Sequence, residues 1–411
     1  MDTLKVRDAK DVEEVVRAAV ASEQPLEVIG HGSKRAIGHP MATNALLDVS
    51  ALNAVTSYEP NELIISVQAG APLADVQSLI DAKNQQFAFE PMDTSVLFGT
   101  AGAGTIGGMI GAGLAGPRRI KAGGIRDHLL GAHAVSGFGD SFKTGGRVVK
   151  NVTGYDLCKL LTGSWGTLAV MTEVTLKVMP KPEAERTLVL RGLDDATANK
   201  AMTAALGSPF DVSGAAHLPG SALRSGGGAL AGLASGQPVT LVRLEGISAS
   251  AAHRAASLSQ TLSAYGTVDS LADDASAAIW SALRDVAPFA ANGALGAWPV
   301  WRIVCPPASG GALGQALSRA TGGDVIYDWG GGLIWAAVPP GADAQATLVR
   351  GQVEAIGGHA TLIRATEDVR RAVDVFQPQA AGLAALGERV RASFDPRSVL
   401  NRGRMMRGGA A

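Results

Sequence analysis

Two glycine-rich loops contain the residues whose types and spacing point most directly to chemistry. The first, residues 30–33, reads Gly-His-Gly-Ser and continues the segment Leu-Glu-Val-Ile-Gly at residues 26–30. The second, residues 105–108, lies within residues 97–168, which contain 18 of the chain's 52 glycines. Loops this bare of side chains let main-chain N–H groups meet an anion, phosphate above all. They predict a site for a phosphate-bearing ligand.

The glycine-rich segment also imitates two unrelated patterns. Gly102, Gly104 and Gly107 spell the GxGxxG of a dinucleotide-binding fold, but that motif should follow a buried strand, and PMDTSVLFGTA precedes it here. Residues 97–116 have the length of a membrane helix, with a GxxxG at Gly104 and Gly108. Eight glycines in twenty positions, with few large aliphatic side chains, argue against a membrane span.

Composition narrows the class of protein. At 411 residues, with 46% apolar and 18% charged residues, the chain is expected to form two well-buried globular domains. A net charge of −1 gives no support to a nucleic-acid partner. Cys158 and Cys305 form no CxxC pattern, so we expect no metal site, no iron–sulfur centre and a reducing compartment. The charged N-terminus predicts no signal peptide.

Periodicity predicts the elements around the first loop. Val12 and Val16 recur at helical spacing, and Asp8 is placed to cap that helix. Residues 26–30 read as a buried strand that runs into the loop. Pro72 begins a second helix with an apolar face that includes Ile80. The pattern favours two short α/β units that border one cleft.

The second half of the chain has a different character. Pro180-Lys181-Pro182 interrupts both helix and strand and marks the best domain boundary. From Glu183 to Arg364, strands and helices alternate with returning hairpins. This order is typical of an antiparallel sheet covered by helices on one side.

A series of motifs in fixed order resembles a known family. The motifs are AGTIGG, AGLAGPRR, GGIRDHLLG and GGRVVKNVTGYDLCKLLTGSWGTLAVMTEVTLKV. They resemble the FAD-binding domain of the vanillyl-alcohol oxidase type, also called the p-cresol methylhydroxylase type, and within it the FAD-binding subunits of bacterial glycolate oxidases. The resemblance covers roughly residues 1–180. It implies an α+β fold: a two-subdomain FAD-binding domain with an α+β antiparallel-sheet cap domain.

The resemblance also implies limits for these parts. Residues 1–181 would be the FAD-binding domain and residues 182–365 the cap. Residues 366–411 would form a C-terminal helix and a segment that returns to the FAD domain. That segment contains Asp395-Pro396 and Asn401-Arg402-Gly403, similar to the family's Asp-Pro and Asn-Pro-Gly. Arg402 departs from the pattern, which has proline there.

The same resemblance assigns the cofactor and its contacts. FAD would be bound without covalent attachment, and no resident metal is expected. The two loops would form the pair that holds the FAD diphosphate through backbone N–H groups. The residues predicted to line the cofactor are Ile29, Gly30, His31, Gly32, Ser33, Pro91, Thr105, Ile106, Gly107, Gly108, Arg126, Asp127, Gly154, Tyr155, Asp156, Gly163, Gly166, Thr167, Val170 and Asn401.

Several of these residues also have plain structural interpretations. Relatives tether FAD through a loop histidine, but His31 sits between its glycines and is read as an ordinary loop residue. Arg126 and Asp127 suit a structural role as well as a cofactor role. Tyr155 and Asp156 resemble a buried aromatic residue and its hydrogen-bond partner. Arg147, Lys150 and Asn151 suit a solvated basic turn better than a contact to an acidic substrate.

No catalytic set is visible in the cap. His217, His253 and His359 are isolated, so each is read as a core or surface histidine and the catalytic residues stay unassigned. An aromatic series is expected on strands, as cap core or partner surface. It comprises Trp298, Trp301, Tyr327, Trp329 and Trp335.

The function implied is that of an FAD-binding oxidoreductase subunit in a glycolate-oxidase-like complex. It would oxidise glycolate or a related 2-hydroxy acid to the 2-oxo acid and pass electrons onward. The implied partners are a larger FAD-containing subunit, an iron–sulfur subunit and the small substrate, with membrane contact only through them. The implied location is cytoplasmic, peripheral at the inner face of the plasma membrane. Two alternatives remain open: a self-sufficient FAD-dependent 2-hydroxy-acid dehydrogenase and a non-catalytic scaffold subunit.

Overall fold

The first part of the chain combines a small parallel sheet with a larger antiparallel one. The computed structural model describes residues 2–147, 155–233 and 236–406. Within them, β1, β3 and β2 pair in parallel, and β4, β5, β9, β7 and β8 form an antiparallel sheet in that order. The elements are β1 (Asp2–Lys5), α1 (Ala9–Ser22), β2 (Leu26–Ile29), β3 (Ala45–Asp48), β4 (Val55–Glu59), β5 (Ile64–Gln68), α2 (Leu73–Asp81), β6 (Gln85–Gln86), α3 (Ser95–Phe98), α4 (Ile106–Ala112), α5 (Arg119–Ala122), α6 (Ile125–His128), β7 (Leu129–Ser136), β8 (Ser141–Gly145), α7 (Leu157–Leu161), β9 (Ala169–Lys177) and β10 (Met179–Pro180).

Helix α1 confirms the N-terminal helix prediction. Val12, Val16 and Ala19 share one buried face. The Asp8 carboxylate accepts hydrogen bonds from the N–H groups of Lys10 and Asp11 at 2.8 and 3.0 Å, which satisfies two of the free donors at the helix start. The helix thereby packs against the parallel sheet and fixes the strand that leads to the first loop.

The C-terminal segment returns to this parallel sheet. Leu400 forms a parallel bridge with Leu26 at the start of β2. The buried Asp395 carboxylate accepts hydrogen bonds from the N–H groups of Val399 and Leu400, at 3.0 and 2.8 Å, and so shapes the turn before the bridge. Residues from opposite ends of the sequence therefore share one edge of the first domain.

The glycine-rich segment folds into short pieces. Gly99, with φ +68°, caps the C-terminus of α3, and Gly113, with φ +66°, caps that of α4. Glycine adopts this left-handed conformation without a steric penalty. Among the described residues, none of the helices is long and apolar enough to cross a bilayer.

The second part of the chain is built on one long antiparallel sheet. Within the described residues its strand order is β14, β11, β13, β12, β16, β17, β15 and β18. Its elements are β11 (Ala184–Arg191), α8 (Asp195–Leu206), β12 (Val212–Leu218), α9 (Gly220–Ser225), β13 (Val239–Gly246), α10 (Ser248–Leu262), β14 (Val268–Ala272), α11 (Asp273–Arg284), β15 (Val300–Val304), α12 (Gly310–Thr321), β16 (Asp324–Asp328), β17 (Leu333–Ala337), α13 (Ala346–Glu354), β18 (His359–Arg364), α14 (Glu367–Ala372) and α15 (Ala381–Phe394).

The two faces of this sheet meet different partners. On β15, Trp301 and Ile303 point to the layer formed by helices α8, α12 and α13. Val300, next to Trp301 and therefore on the opposite face, belongs to the cluster shared with the first domain. The predicted antiparallel sheet is confirmed. The prediction of helices on one side only was wrong, because α11 packs Trp280 and Leu283 on the face opposite the one that α8 and α10 cover. The limits 1–181, 182–365 and 366–411 stay a proposal, which the short gap between the ends of β10 and β11 supports.

The aromatic series departs from its prediction at two members. Trp298 lies in a bend before β15 and not on a strand. Trp301, Tyr327 and Trp335 lie on strands and are buried. Trp329 lies in a turn after β16, with φ +53°, and its indole N–H donates to the Gly116 carbonyl at 3.1 Å. The prediction of a strand position was wrong for Trp329, because a contact to the first domain outweighs continuation of the strand.

Candidate functional site

A cleft opens where β2 ends, between the two glycine loops and the returning C-terminal segment. All the described residues that line it fall within residues 28–171 and 401–404. The predicted residues that the structure brings together there are Ile29, Gly30, His31, Gly32, Ser33, Thr105, Gly107, Gly108, Gly166, Val170 and Asn401. The cleft therefore belongs to the first domain and to the C-terminal segment that docks on it.

The first loop presents unused backbone donors. Within the described ranges, none of the hydrogen bonds uses the N–H groups of His31, Gly32 or Ser33. Gly32 has φ +68°, a conformation that turns the chain directly after the strand. These N–H groups border the cleft and are available to an anionic ligand.

The prediction that both loops offer free backbone N–H groups was wrong for the second loop, whose N–H groups are largely hydrogen-bonded within the protein. The N–H of Ile106 donates to Ala71 at 3.0 Å, and the N–H of Gly107 donates to Ala69 at 2.7 Å. The Thr105 hydroxyl accepts from the N–H of Gly108 at 3.3 Å and caps α4. Because these N–H groups are hydrogen-bonded within the protein, the second loop forms a wall of the cleft but offers fewer free N–H groups to a ligand than the first loop does.

Contact between the loops explains one glycine. A Cβ atom at position 30 would lie 2.6 Å from the Thr105 hydroxyl oxygen and 2.7 Å from its methyl carbon. Real Cβ atoms do not approach that closely, so only glycine at position 30 lets Thr105 reach its capping position. The two loops therefore form one wall.

Two cations in the cleft were not among the predicted site residues. The Lys34 ammonium is buried and donates to the Ala103 carbonyl at 2.9 Å, and burial lowers the pKa of Lys34 to about 8. Arg404 donates to the Lys34 carbonyl at 2.7 Å and stacks its guanidinium 5.3 Å from the Trp165 ring centre. Its Nε is buried without a hydrogen-bond partner. Lys34 directly follows the predicted loop at residues 30–33, and Arg404 directly follows the predicted segment at residues 401–403. Extending each predicted motif by one residue would have included both cations.

Asn401 fastens the C-terminal segment to both sides of the cleft. Its side-chain oxygen accepts from the Val28 N–H at 2.8 Å, and its amide nitrogen donates to the Trp165 carbonyl at 2.7 Å. A Cβ atom on Gly166 would lie 2.6 Å from that nitrogen. The absence of a side chain at Gly166 lets the Asn401 side chain approach the backbone and link β2 to the turn at residues 165–166.

Other predicted site residues lie away from the cleft. Ile106 is fully buried in the core of the first domain. The Asp127 carboxylate accepts from the Gly124 N–H at 2.8 Å and caps α6, so it serves its structural interpretation. Tyr155 is 91% exposed, which overturns its interpretation as a buried aromatic residue, and Asp156 beside it pairs with Lys159 at 3.8 Å.

The remaining predicted residues have other surroundings. Pro91 lines a separate space between the first domain and the cap. Gly163 and Thr167 line an apolar groove next to α15. Arg126 is exposed on α6. Gly154, with Lys150 and Asn151, lies outside the described residues.

Charged side chains cross between the cap and the first domain. The Arg243 guanidinium, on β13, donates two hydrogen bonds to the Glu90 carboxylate at 2.8 and 2.9 Å. Arg118 binds Glu245 in the same way, at 2.7 and 3.0 Å. Burial alone would raise the pKa of Glu90, but Arg243 and Arg118 more than offset it, so the pKa of Glu90 lies below its ordinary value. The pair network therefore stays charged at neutral pH.

His217 illustrates the buried polar groups of the cap. Its ring is fully buried, with Nδ1 2.9 Å from the Thr240 hydroxyl and Nε2 3.3 Å from the Asp195 carboxylate. Asp195 also accepts from the Tyr327 hydroxyl at 2.5 Å. These groups lie on the side of the sheet that α8 covers, and they satisfy one another. In the described part of the chain, no group of His, Cys, Asp and Glu residues is arranged to hold a metal.

Comparison with protein families identifies both parts of the chain. Residues 3–145 match the FAD binding domain family, and residues 182–318 match the family of C-terminal domains of FAD linked oxidases. The chain therefore contains one region of each of these two domain families, residues 3–145 and residues 182–318. The N-terminal domain is therefore an FAD-binding domain, and FAD is its cofactor.

Curated relatives agree with this assignment. The chain is 39% identical over 175 residues to the glycolate oxidase subunit GlcE of Escherichia coli K12, which covers 43% of this chain and 48% of that one. It is 29% identical over 184 residues to the glycolate oxidase subunit GlcD of Bacillus subtilis 168, covering 44% and 38%. The matches thus span less than half the length of these relatives.

Solved structures share the whole fold. One is p-cresol methylhydroxylase, with a TM-score of 0.69 and 13% identity over 98% of this chain and 88% of that one. Another is alkyldihydroxyacetonephosphate synthase, also with a TM-score of 0.69, at 16% identity over 97% and 76%. The predicted fold of the p-cresol methylhydroxylase type is confirmed.

The cleft of the FAD-binding domain fits the diphosphate of FAD. The loop at residues 30–33 offers free N–H groups, and Arg404 has an unpartnered buried Nε at the same cleft. Lys34 adds a second positive charge. An anion bound there would satisfy donors that the protein alone leaves unused.

Proposed function

We propose that the chain is the FAD-binding subunit of a glycolate-oxidase-like complex, which oxidises glycolate or a related 2-hydroxy acid to the 2-oxo acid. The observation that carries the proposal is the cleft of the FAD-binding domain, where free loop amides and two buried cations converge. The 39% identity to a glycolate oxidase subunit supports the substrate class.

The residues that line the cleft would bind and position FAD. Bound FAD supplies the capacity to accept two electrons from a carbon–hydrogen bond next to a hydroxyl group. The amides of His31, Gly32 and Ser33 would bind the diphosphate, and Lys34 and Arg404 would offset its charge. Trp165 and Asn401 would fix the wall of the cleft against the ligand.

Partners and location follow from the same proposal. A larger FAD-containing subunit and an iron–sulfur subunit would complete the complex and carry electrons onward. The protein would then be cytoplasmic, with contact to the inner face of the plasma membrane only through these partners.

A self-sufficient 2-hydroxy-acid dehydrogenase is the second candidate. Two relatives favour it: a D-lactate dehydrogenase of Anaerostipes hadrus, 28% identical over 187 residues, and a D-2-hydroxyglutarate dehydrogenase of Xanthomonas citri, 32% identical over 184 residues. They cover 44% of this chain each and 38% and 37% of those proteins. In this case the chain alone would oxidise its substrate.

A flavin spectrum of the purified chain tests the proposal. The protein is reconstituted with FAD, freed of excess cofactor and titrated with glycolate and D-lactate without air. We expect a flavin that denaturation releases and that stays oxidised until the larger subunit is added. Bleaching by either acid in the isolated chain would favour the second candidate. Failure to retain FAD would contradict both and leave the scaffold interpretation.

A further inference from the structure

An apolar groove lies between helix α15 and the FAD-binding domain. It is lined by Leu383, Leu386 and Val390 of α15 and by Leu160 and Leu168 of the FAD-binding domain, and we call it the α15 groove. Leu383 and Leu386 are 55% and 47% exposed, and Leu160 is exposed as well. A group of exposed apolar side chains that line one groove marks an interaction site, whereas single exposed leucines do not.

Helix α15 turns its apolar side chains into the groove instead of into a core. Within the described chain, none of the 14 residues of α15 is buried. Leu383, Leu386 and Val390 follow the i, i+3, i+7 spacing of one helical face. Phe394, at the C-terminal end, packs against Phe142 with ring centres 6.0 Å apart and anchors the helix to the FAD-binding domain. Since a helix draws most of its stability from packing an apolar face, this face is suited to a further partner.

The lining of the α15 groove carries a net positive charge. Among the described residues that line it are one acid, Glu388, and three arginines, Arg391, Arg402 and Arg404. The Glu388 carboxylate accepts from Arg391 at 2.9 Å, so this acid is already neutralised. The Arg402 side chain is exposed and forms no hydrogen bond or ion pair with a described residue. An occupant with carboxylates along its edge would therefore complement the groove.

Shape and charge together favour a helix of another protein as the occupant. The apolar side chains lie in a concave surface, which an inserted amphipathic helix reaches more fully than a flat lipid surface does. A second copy of this chain would bring the same arginine-rich lining, and like charges across an interface oppose association. The residues after Met406 read Arg-Gly-Gly-Ala-Ala and have no large apolar side chain that could fill the groove.

The α15 groove adjoins the cofactor cleft. Asn401 and Arg404 line both spaces, and the consecutive residues Ser164 and Trp165 line the groove and the cleft respectively. A protein seated in the groove would contact the same C-terminal segment that closes the cleft. This position suits a partner that exchanges electrons with bound FAD.

We propose that the α15 groove binds an acid-flanked amphipathic helix of the larger subunit in the proposed complex. Apolar side chains of that helix would pack against Leu383, Leu386 and Leu160, and carboxylates at its edge would pair with Arg402. The inference rests on the proposed function, which supplies the larger subunit, and adds to it the surface where the two chains meet.

Binding of the FAD-loaded chain to the separately purified larger subunit tests this surface. Titration calorimetry is carried out on wild type and on L383E, L386E and L79E. A carboxylate at the centre of an apolar interface predicts a ~30-fold or greater loss of affinity in L383E and in L386E. L79E is the matched control and should bind as wild type does, because Leu79 is an exposed leucine on a different helix, α2.

Substitution of Arg402 tests the charge of the occupant separately. R402E should weaken binding by ~3-fold to 10-fold and flatten its dependence on salt, whereas R402K should retain both properties. R319E is the control, because Arg319 is exposed on α12 of the cap. An unchanged affinity and salt dependence in R402E would overturn the acid-flanked helix as the occupant.

The outcomes separate this inference from the proposed function. Equal affinity of wild type and L386E for the larger subunit would overturn the inference and leave the proposed function standing. No binding of the larger subunit by folded, FAD-loaded wild type would overturn both. Assembly that depends on Leu386, in a complex that never oxidises a 2-hydroxy acid, would support the inference and defeat the proposed function.

Measurements on the isolated chain identify any other occupant. A lower unfolding temperature in L386E than in L79E would show that the chain itself covers the groove. A dimer in light scattering that L386E abolishes would assign the groove to a second copy, and binding to phosphatidylglycerol vesicles that L386E abolishes would assign it to a membrane surface. Each of these results would overturn the inference. We expect L386E to match L79E in unfolding temperature, flavin content, mass and vesicle binding.

Discussion

At the residue scale, Lys34 and Arg404 set the electrostatics of the cofactor cleft. They are separated by 370 positions in sequence, yet the Arg404 guanidinium donates to the Lys34 carbonyl. Both are buried, so each retains its charge against a desolvation cost that an anionic ligand would relieve. Their response to pH and to substitution is therefore a direct measure of cofactor binding.

Lys34 predicts a pH dependence of FAD affinity. The pKa of Lys34 is about 8 in the free protein, and a bound diphosphate favours the charged form. Above pH 8, FAD binding must include uptake of a proton, so the Kd should rise by at most ~10-fold per pH unit. Below pH 8 it should change little. Flavin-fluorescence titrations from pH 6.5 to 9.5 measure it.

The Lys34→Met variant provides the comparison. It should bind FAD more weakly at pH 7 and lose the rise in Kd above pH 8. Lys10→Met, at an exposed position on α1, should behave as wild type. If the Kd of K34M for FAD rises above pH 8 as much as that of wild type, a group other than Lys34 causes the rise.

Gly30→Ala tests the contact between the loops. The added methyl would meet the Thr105 side chain at 2.6–2.7 Å and force the loops apart. We expect a loss of about 1–3 kcal/mol of stability and weaker FAD binding. Gly351→Ala is the control, because its Cβ would meet open space on helix α13 and should be neutral or slightly stabilising. Denaturant unfolding measures both, and an unchanged midpoint for G30A would contradict the close-contact argument.

At the element scale, the pairing of Glu90 with Arg243 joins a loop of the FAD-binding domain to strand β13. Glu90→Gln would remove the carboxylate that accepts two hydrogen bonds from the buried Arg243 guanidinium and leave Glu245, 3.5 Å away, as its remaining ion-pair partner. The expected loss is about 3–5 kcal/mol at pH 7, measured by denaturant unfolding. The exposed Glu62→Gln is the control and should have little effect.

The same pair predicts the acid response. The pKa of Glu90 is lower in the folded than in the unfolded protein. Its stabilising contribution is therefore present above the unfolded pKa, about 4.3, and is lost as pH falls through the folded value. Between pH 5 and 3, wild type should lose stability more steeply than E90Q. Parallel curves would show that another carboxylate dominates the acid response.

At the scale of the whole molecule, the C-terminal segment closes the FAD-binding domain after the chain has passed through the cap. Asn401 bonds to Val28 and Trp165, so it ties β2, the turn beside the cleft and the C-terminal segment together. Cofactor binding and the docking of the C-terminus are thereby coupled through one side chain.

Asn401→Ala tests this coupling. The change leaves the Val28 N–H and the Trp165 carbonyl unpaired, at a cost of roughly 1–3 kcal/mol for each buried group. FAD should raise the unfolding temperature less in the variant than in wild type, because weaker binding gives less ligand stabilisation. Asn44→Ala, at an exposed position, is the control. An equal FAD-induced shift in N401A and wild type would show that the C-terminal segment does not contribute to the cofactor site.

The sequence by itself determined the features that depend on near neighbours. Helix α1 follows from the spacing of Val12 and Val16, and the first loop follows from a buried strand that ends in glycine. The ordered glycine motifs indicated the FAD-binding fold through their resemblance to a known family. By themselves the glycine loops indicated only a site that admits a bound anion.

Only the tertiary structure decided which groups share the site. It joined Arg404 to Lys34 and used the amides of Ile106 and Gly107 within the core. These outcomes depend on hydrogen bonds and charges between segments distant in sequence. Local periodicity carries no information about such partners, so the folded chain alone assigns them.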